Sequence, residues 1–426
     1  MEILNRDNAP EISQIEKIEV QRAVATKIKN EIPVYSINAG TQDLVKIELI
    51  FPAGMWQQTA PLIGSAVSAM LQEGTSKRSA KTIAEAVDYY GAFLQTEMRQ
   101  DVSIISVHSL NKHLPNVLKV VEEVITDSIF PQSEWDTYLR NKKQSFIVNN
   151  QKVGFVSRKK FSELLFGNTY PYGHNVIEKD FDNLKRESAL DFYKKSYTAN
   201  GAIIVASGNV TDATMKLIEK YFGGIKSNSG TNKPTVVEPK SQIGSHLIEK
   251  QDAVQSAIRI GKLLFKKSHP DYPAMQVVNT IFGGYFGSRL MANIREDKGY
   301  TYGIGSRLVS FSQGGYFIIS TEVGVEVTSA AIKEIYFELH RLQTEKVSES
   351  ELQLVKNYML GTFLRRIDGP FALADTFKGI HFNALDYDYF DRYVEVIKNI
   401  TPVEIMNLAV KYLQKEEMVE LVVGKK

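Results

Sequence analysis

The secondary-structure signals of this chain come round twice, in one order and at a near-constant spacing. The strand signal Val45-Lys46-Ile47-Glu48-Leu49-Ile50-Phe51, ending at Pro52-Ala53-Gly54, has a counterpart in the run from Ala257 to Phe265. Each is followed by a helical pattern, 61–72 closed by Gly74 and 272–282 closed by Gly283-Gly284. Proline near the start and glycine past the end are the expected punctuation. A second helix follows in both copies, 80–90 stopped by Gly91 and 288–298 stopped by Gly299. Two strands come next (92–96 with 102–108, and 301–309 with 315–321), then a long amphipathic helix (114–126 and 329–342) and further helices. Both copies finish on a buried strand, 202–206 and 418–423, followed by Gly208 and Gly424, 216 residues apart. A period this long means two copies of one α+β unit rather than a solenoid of short repeats.

The glycine-, serine-, asparagine- and lysine-rich stretch Gly223-Gly224-Ile225-Lys226-Ser227-Asn228-Ser229-Gly230 has linker composition. The chain is therefore expected to divide into an N-terminal half 1–222, a linker 223–244 and a C-terminal half 245–426. Two lobes on a hinge enclose a cleft, and ligands favour such interfaces. Length agrees, since 426 residues exceed one ordinary domain. The 43% apolar and 23% charged residues are globular values.

Composition also excludes function classes. The 51 basic and 49 acidic residues leave a net charge of +2, and nothing points to nucleic acid. The run Arg158-Lys159-Lys160 sits in a helical pattern with Phe161, Leu164 and Leu165 and reads as a solvated face. There is no cysteine, so disulfides, thiolate metal sites and cysteine nucleophiles are ruled out, and a reducing compartment fits. The first residues lack the basic and apolar regions of a signal peptide. Apolar runs such as 202–206 fall far short of the roughly 18 residues of a membrane span. A cytoplasmic location without a membrane span is expected.

Several stretches carry a family resemblance: the Gly74-Thr75-Ser76-Lys77-Arg78-Ser79 turn, Tyr170-Pro171-Tyr172-Gly173, and Gly287-Ser288-Arg289-Leu290 with Arg295, Gly299 and Tyr302. With the element order, they resemble the pitrilysin/insulinase-type zinc metallopeptidases, the inverted zincins, across roughly residues 30–424. Among these the chain is similar to non-catalytic subunits of the mitochondrial processing peptidase type. The resemblance implies an α+β clamshell of two homologous halves, each a mixed, mostly antiparallel β-sheet flanked by helices. It also implies where zinc chemistry would lie. Active members carry H-x-x-E-H just before the Gly-Thr turn, two ligands on one helix face with a general base between them. Those positions fall on Ser65, Ser68 and Ala69, and the third ligand, a glutamate, falls at Phe146. A hydroxyl is a poor neutral zinc ligand, and a methyl or phenyl group is none. No acid lies between Asp136 and Glu163, so a one-residue slip changes nothing. The strand that pairs with peptide in active members corresponds to Leu94, Gln95 and Thr96, with Gln95 where they carry asparagine.

Other chemistries find little support in the residues. No two of the seven histidines (His108, His113, His174, His246, His269, His340, His381) stand three or four apart. His174 reads as a loop or core residue. Gly64-Ser65-Ala66-Val67-Ser68 lacks the second glycine of a nucleophile elbow. Gly283-Gly284-Tyr285-Phe286-Gly287 lacks both P-loop and dinucleotide patterns and reads as a tight helix-to-helix turn. The resemblance does leave Arg295 and Tyr302, matching an arginine and tyrosine that family members aim at the substrate carbonyl. Tyr302 is expected to begin a strand and to share its face with Tyr300. The expected function is that of a non-catalytic subunit in a heterodimeric zinc endopeptidase. It would hold no cofactor itself, bind peptide or unfolded polypeptide, and complete the site of an H-x-x-E-H-bearing partner. The alternative is an inactive scaffold or peptide-binding protein with no part in hydrolysis.

Overall fold

A computed structural model describes residues 15, 18–227 and 238–426; the middle of the expected linker, 228–237, lies outside the described residues. The N-terminal half runs β1 (Val24–Lys27), β2 (Pro33–Asn38), β3 (Leu44–Phe51), α1 (Ile63–Met70), α2 (Ala80–Asp88), β4 (Phe93–Met98) and β5 (Ser103–Leu110). It continues with α3 (Leu114–Thr126), α4 (Gln132–Asn149), α5 (Val153–Phe166), α6 (Glu178–Asn183), α7 (Arg186–Ser196), β6 (Ile203–Gly208) and α8 (Asp212–Phe222). The C-terminal half opens with β7 (Gly244–Glu249), β8 (Gln255–Leu264) and α9 (Tyr272–Asn279), then two π-helical stretches, Thr280–Gly284 and Met291–Asp297. It ends with β9 (Ile304–Phe311), β10 (Gly314–Gly324), α10 (Thr328–Thr344), α11 (Glu349–Arg366), α12 (Pro370–His381), α13 (Asp388–Asn399), α14 (Pro402–Tyr412) and β11 (Val419–Gly424). Several helix starts follow from local chemistry. Ser79 caps α2, Ser348 caps α11, and Thr401 with Glu404 boxes α14, whose first residue is Pro402.

The sheet orders make the repeat explicit: β1-β2-β6-β3-β5-β4 in one half and β7-β11-β8-β10-β9 in the other. Apart from the added β1, the two are the same sheet. The one parallel pair in each is equivalent too, β2 with β6 and β7 with β11. Gly208 and Gly424 end the matching strands with φ of 110° and 138°, in the region that favours glycine. At Gly208 a side chain would strike the Leu44 carbonyl; at Gly424 it would lie 2.6 Å from Ser256 Oγ.

One face of each sheet is covered by helices of its own half. Val45, Ile47 and Leu49 pack with Val67, Met70, Val117 and Val121; Ile258, Ile260 and Phe317 pack with Met275, Val278, Ile335 and Leu339. The opposite faces lie toward the seam of the clamshell, where each half covers the other's sheet with a helix. From α5, Phe161, Leu164 and Leu165 pack on Ile318, Val419, Leu421 and Val423 of the C-terminal sheet. In return, Leu373, Ala374 and Phe377 of α12 pack on Ile37, Ile50, Ile104, Ile203 and Val205. A buried charge cluster lies beside α12. Lys378 Nζ donates to Glu48 Oε1 at 2.6 Å, Lys46 approaches the same oxygen at 3.0 Å, and Asp375 lies 2.7 Å from Lys378.

The Tyr170–Gly173 segment fastens the seam at its other end. Tyr170 donates to the Gln313 carbonyl at 2.9 Å, and Tyr172 donates to Asp101, which accepts from the Ser312 amide at 2.9 Å. Ile18 is buried in the C-terminal core, and the Ala23 amide donates to Tyr387. The described ends of the linker are also held. Ile225 is buried in the N-terminal core, and the amides of Lys240 and Gln242 donate to Phe166 and Leu164 carbonyls. Among the described residues no helix is long and apolar enough to cross a membrane.

Candidate functional site

The residues at the expected metal positions start on α1, which buries Ile63, Ala66, Val67 and Met70 toward the sheet. The small side chains of this helix let it approach β4 closely, where Met98 occupies the space a side chain at Gly64 would need. Ser65 Oγ donates to the Leu62 carbonyl at 2.8 Å, and Ser68 is buried. Ala69 follows one position on. These three share a helix, but Phe146 does not turn toward them. Its ring lies buried against Phe155 and Phe181, on the α5 and α6 side of α4, with the Lys159 ammonium 4.3 Å from its centroid. Lys159 is therefore half-buried and its pKa is lowered by that burial, which corrects the reading of Arg158-Lys159-Lys160 as a wholly solvated face.

An α4 residue that does reach α1 is Tyr138, beside Ser65. Burial raises its phenol above the usual tyrosine range, and a hydrogen bond with Ser65 draws part of that shift back. Spacing along the chain pointed to Phe146; only the helix packing shows which face of α4 looks at α1. Zinc wants imidazole, thiolate or carboxylate donors. Two hydroxyls, a methyl group, a buried phenyl ring and a phenol do not fit it. Among the described residues no group of three or more histidine, aspartate or glutamate side chains gathers as a metal set.

Next to α1 runs β4, at the edge of its sheet, where among the described residues it pairs with β5 alone. Its residues alternate, with Phe93, Gln95 and Glu97 exposed and Leu94, Thr96 and Met98 half-buried. The half-buried set faces α1: Gln72 Nε2 donates to Thr96 Oγ1 at 3.2 Å. Gln95 points to the other face of the sheet. The outer backbone edge of β4 is open to a further strand, the geometry of β-augmentation.

Arg295 sits in the second π-helical stretch, a form that is rare and frequent at functional sites. Its guanidinium lies 4.6 Å from the centroid of Phe286, itself largely exposed, and 4.0 Å from the Glu296 carboxylate. The arginine is thus steered by a ring and paired only loosely with its chain neighbour Glu296. Tyr302 is 97% exposed. It does not begin a strand as expected, because β9 starts only at Ile304. Gly299 takes the left-handed conformation (φ 66°). Thr301 Oγ1 then donates to the Glu322 carbonyl at 2.8 Å and accepts from the Gly303 amide at 3.1 Å, closing a loop over residues 300–303. Tyr300 packs against the C-terminal core while Tyr302 projects outward, so the two do not share a face. Phe286 and the π-helical backbone were not anticipated; the only signal in the sequence was the glycine-rich stretch between the two helices. There Gly283 and Gly284 end the first π stretch, and a short turn leads into the next helix, as expected. The His174 ring donates from Nδ1 to the Asn168 carbonyl, 3.1 Å away.

Comparison with known proteins adds two family matches. Residues 33–168 match the insulinase domain of peptidase family M16, and residues 183–359 match the domain described as the peptidase M16 inactive domain. An uncharacterized zinc protease of Rickettsia felis is 25% identical over 91% of this chain and 94% of its own length. A Bacillus subtilis protein described as a probable inactive metalloprotease is 24% identical over 55% of each chain. Among solved structures, the peptidase M16 inactive domain from Pseudomonas fluorescens superposes with a TM-score of 0.87, covering 95% of this chain and 99% of that one at 21% identity.

Proposed function

We propose that this chain, which belongs to the insulinase family of peptidases, M16, is a catalytically inactive member and the non-catalytic subunit of a two-chain endopeptidase. The metal chemistry belongs to an H-x-x-E-H-bearing partner of the same family. This chain contributes Arg295 and Tyr302 to the partner's site and offers the open edge of β4, through Leu94, Gln95 and Thr96, to an extended peptide.

One observation carries the reading. Tyr302 is almost fully exposed with no packing to explain it, and half-buried Arg295 has only a long 4.0 Å ion pair to its neighbour Glu296, on a chain whose described residues gather no metal set. Peptide hydrolysis builds negative charge on the carbonyl oxygen, and a guanidinium fork beside a phenol hydroxyl supplies donors for it. Phe286 holds the guanidinium by cation–π contact, which limits the reorientation needed when charge develops.

Mixing the purified chain with its H-x-x-E-H partner and a fluorogenic peptide tests this. Removing one such donor costs on the order of 10²–10³ in kcat. Arg295→Ala and Tyr302→Phe should each fall in that range while the complex still assembles by gel filtration. KM should change less, since the charge the two residues meet develops mainly in the transition state. Normal assembly with unchanged turnover in both variants would favour the inactive scaffold instead.

A further inference from the structure

A cavity of about 500 Å³ opens in the C-terminal half among α9, α11, α12 and α13, a volume ordinary for a small-molecule site. The geometry points to a binding site here for a small organic anion, a carboxylate carried on an aromatic body. Nothing in the proposed peptidase role uses this cavity, and the inference stands whether or not that role does.

Charge is the first argument. Lys267 and Arg366 both line the cavity. The Lys267 ammonium donates to the Gly379 carbonyl at 3.1 Å and lies 4.8 Å from the centroid of Tyr389, which leaves donor capacity unused. The one acid in the wall, Asp375, is already engaged by Lys378 at 2.7 Å and Lys46 at 3.9 Å. Half-buried Lys267 and the more exposed Arg366 thus share the cavity, and among the described lining residues no unengaged acid neutralises them. Lys267 shows the cost: burial first, and then repulsion from Arg366, push its pKa down to about 8. An anion placed between them removes that penalty.

The donor inventory is the second argument. Burial lifts the phenol pKa of Tyr389 far above its usual range and pushes Tyr393 up to about 12, so both hydroxyls stay protonated and can donate. Together with the two cations they favour a ligand group that only accepts, as an ionised carboxylate does. Shape supplies the aromatic body. Tyr389 and Tyr393 lie nearly parallel (22°, centroids 6.2 Å apart), and Phe363 meets Tyr393 at 5.5 Å. A flat ring has aromatic walls to pack on while its carboxylate reaches the cations.

Isothermal titration calorimetry of the full chain with benzoate and 4-hydroxybenzoate tests this, with benzamide and inorganic phosphate as comparison probes. One aryl carboxylate should bind per chain, with affinity at least tenfold weaker in Lys267→Met and in Arg366→Gln, and benzamide should give no saturable heat. Arg366 is exposed, so R366Q keeps the test open even if K267M melts early by circular dichroism. No saturable binding of either carboxylate would overturn the inference. So would phosphate binding as tightly as the carboxylates, or an affinity unchanged in R366Q and in a folded K267M.

Discussion

The two halves share one sheet but not the helix that follows its long central strand. In the N-terminal half, β3 leads into the regular helix α1, packed tightly on β4. In the C-terminal half, β8 leads into α9, which passes through one π-helical stretch and, after a turn, is followed by a second that carries Arg295. A wider turn of backbone shifts every later side chain around the helix axis, so equivalent positions in the two halves present different groups to their surroundings. The strand order sets where a helix lies; the helix alone decides what it offers. That division explains how the fold survives where the metal ligands do not.

The comparison can be broken at the seam, where the largest effects are expected. If each half needs the other's helix, Phe377→Ala in α12 and Leu165→Ala in α5 should each cost about 2–5 kcal/mol. Both variants should still melt in a single calorimetric transition. Two separated transitions, one per half, would show that the exchanged helices do not couple them.

The charge cluster beside α12 gives a smaller handle on the same question. Lys378→Met leaves Glu48 buried with only Lys46 beside it, and a loss of about 1.5–3 kcal/mol in urea titration is expected, the range for a hydrogen bond to a charged group. Where α5 meets the C-terminal sheet, the polar link is a hydrogen bond instead, Arg259 Nε donating to Ser157 Oγ at 2.8 Å. Ser157→Ala should therefore cost less than Lys378→Met. The reverse order would mean that the buried ion cluster contributes little to joining the halves.

The sharpest test of equivalence uses the smallest change. Gly208 and Gly424 end matching strands in left-handed geometry. Alanine at either should cost more than the roughly 1–3 kcal/mol of backbone strain alone, because the added methyl would also meet the Leu44 carbonyl at Gly208 and Ser256 at Gly424, and the two losses measured by thermal melts should be of similar size. A large disagreement would show that the strand ends are alike in drawing only.

Those same glycines show how much of the fold was legible. Punctuation is local: a proline, a glycine or a serine cap fixes where an element starts and stops, so the repeated order of strands and helices could be read along the chain. The exchange of α5 and α12 could not. Phe161, Leu164 and Leu165 mark an apolar face on α5, but nothing in a one-dimensional pattern says whether that face meets its own sheet or the other one. The candidate site divides the same way. Ser65, Ser68 and Ala69 sit on α1 as their spacing from the Gly74 turn required. Phe146 misses because helix rotation, not residue count, decides which side of α4 faces α1, and Tyr138 takes that place. The loop that holds Tyr302 was hidden too, since Thr301 turns the chain through side-chain hydrogen bonds that a strand-like sequence does not announce.

The exchanged helices also set a timetable for synthesis. Ile37, Ile50 and Ile104 leave the ribosome early, and the N-terminal sheet is complete once Ile203 and Val205 have followed, yet the residues that cover this face, Leu373 and Phe377, come about 170 residues later. At roughly 5–20 residues per second, that apolar surface waits on the order of ten to thirty seconds for its cover. Through that interval the nascent chain is a natural client for a chaperone, and a stall in translation before α12 would strand it in its most aggregation-prone form.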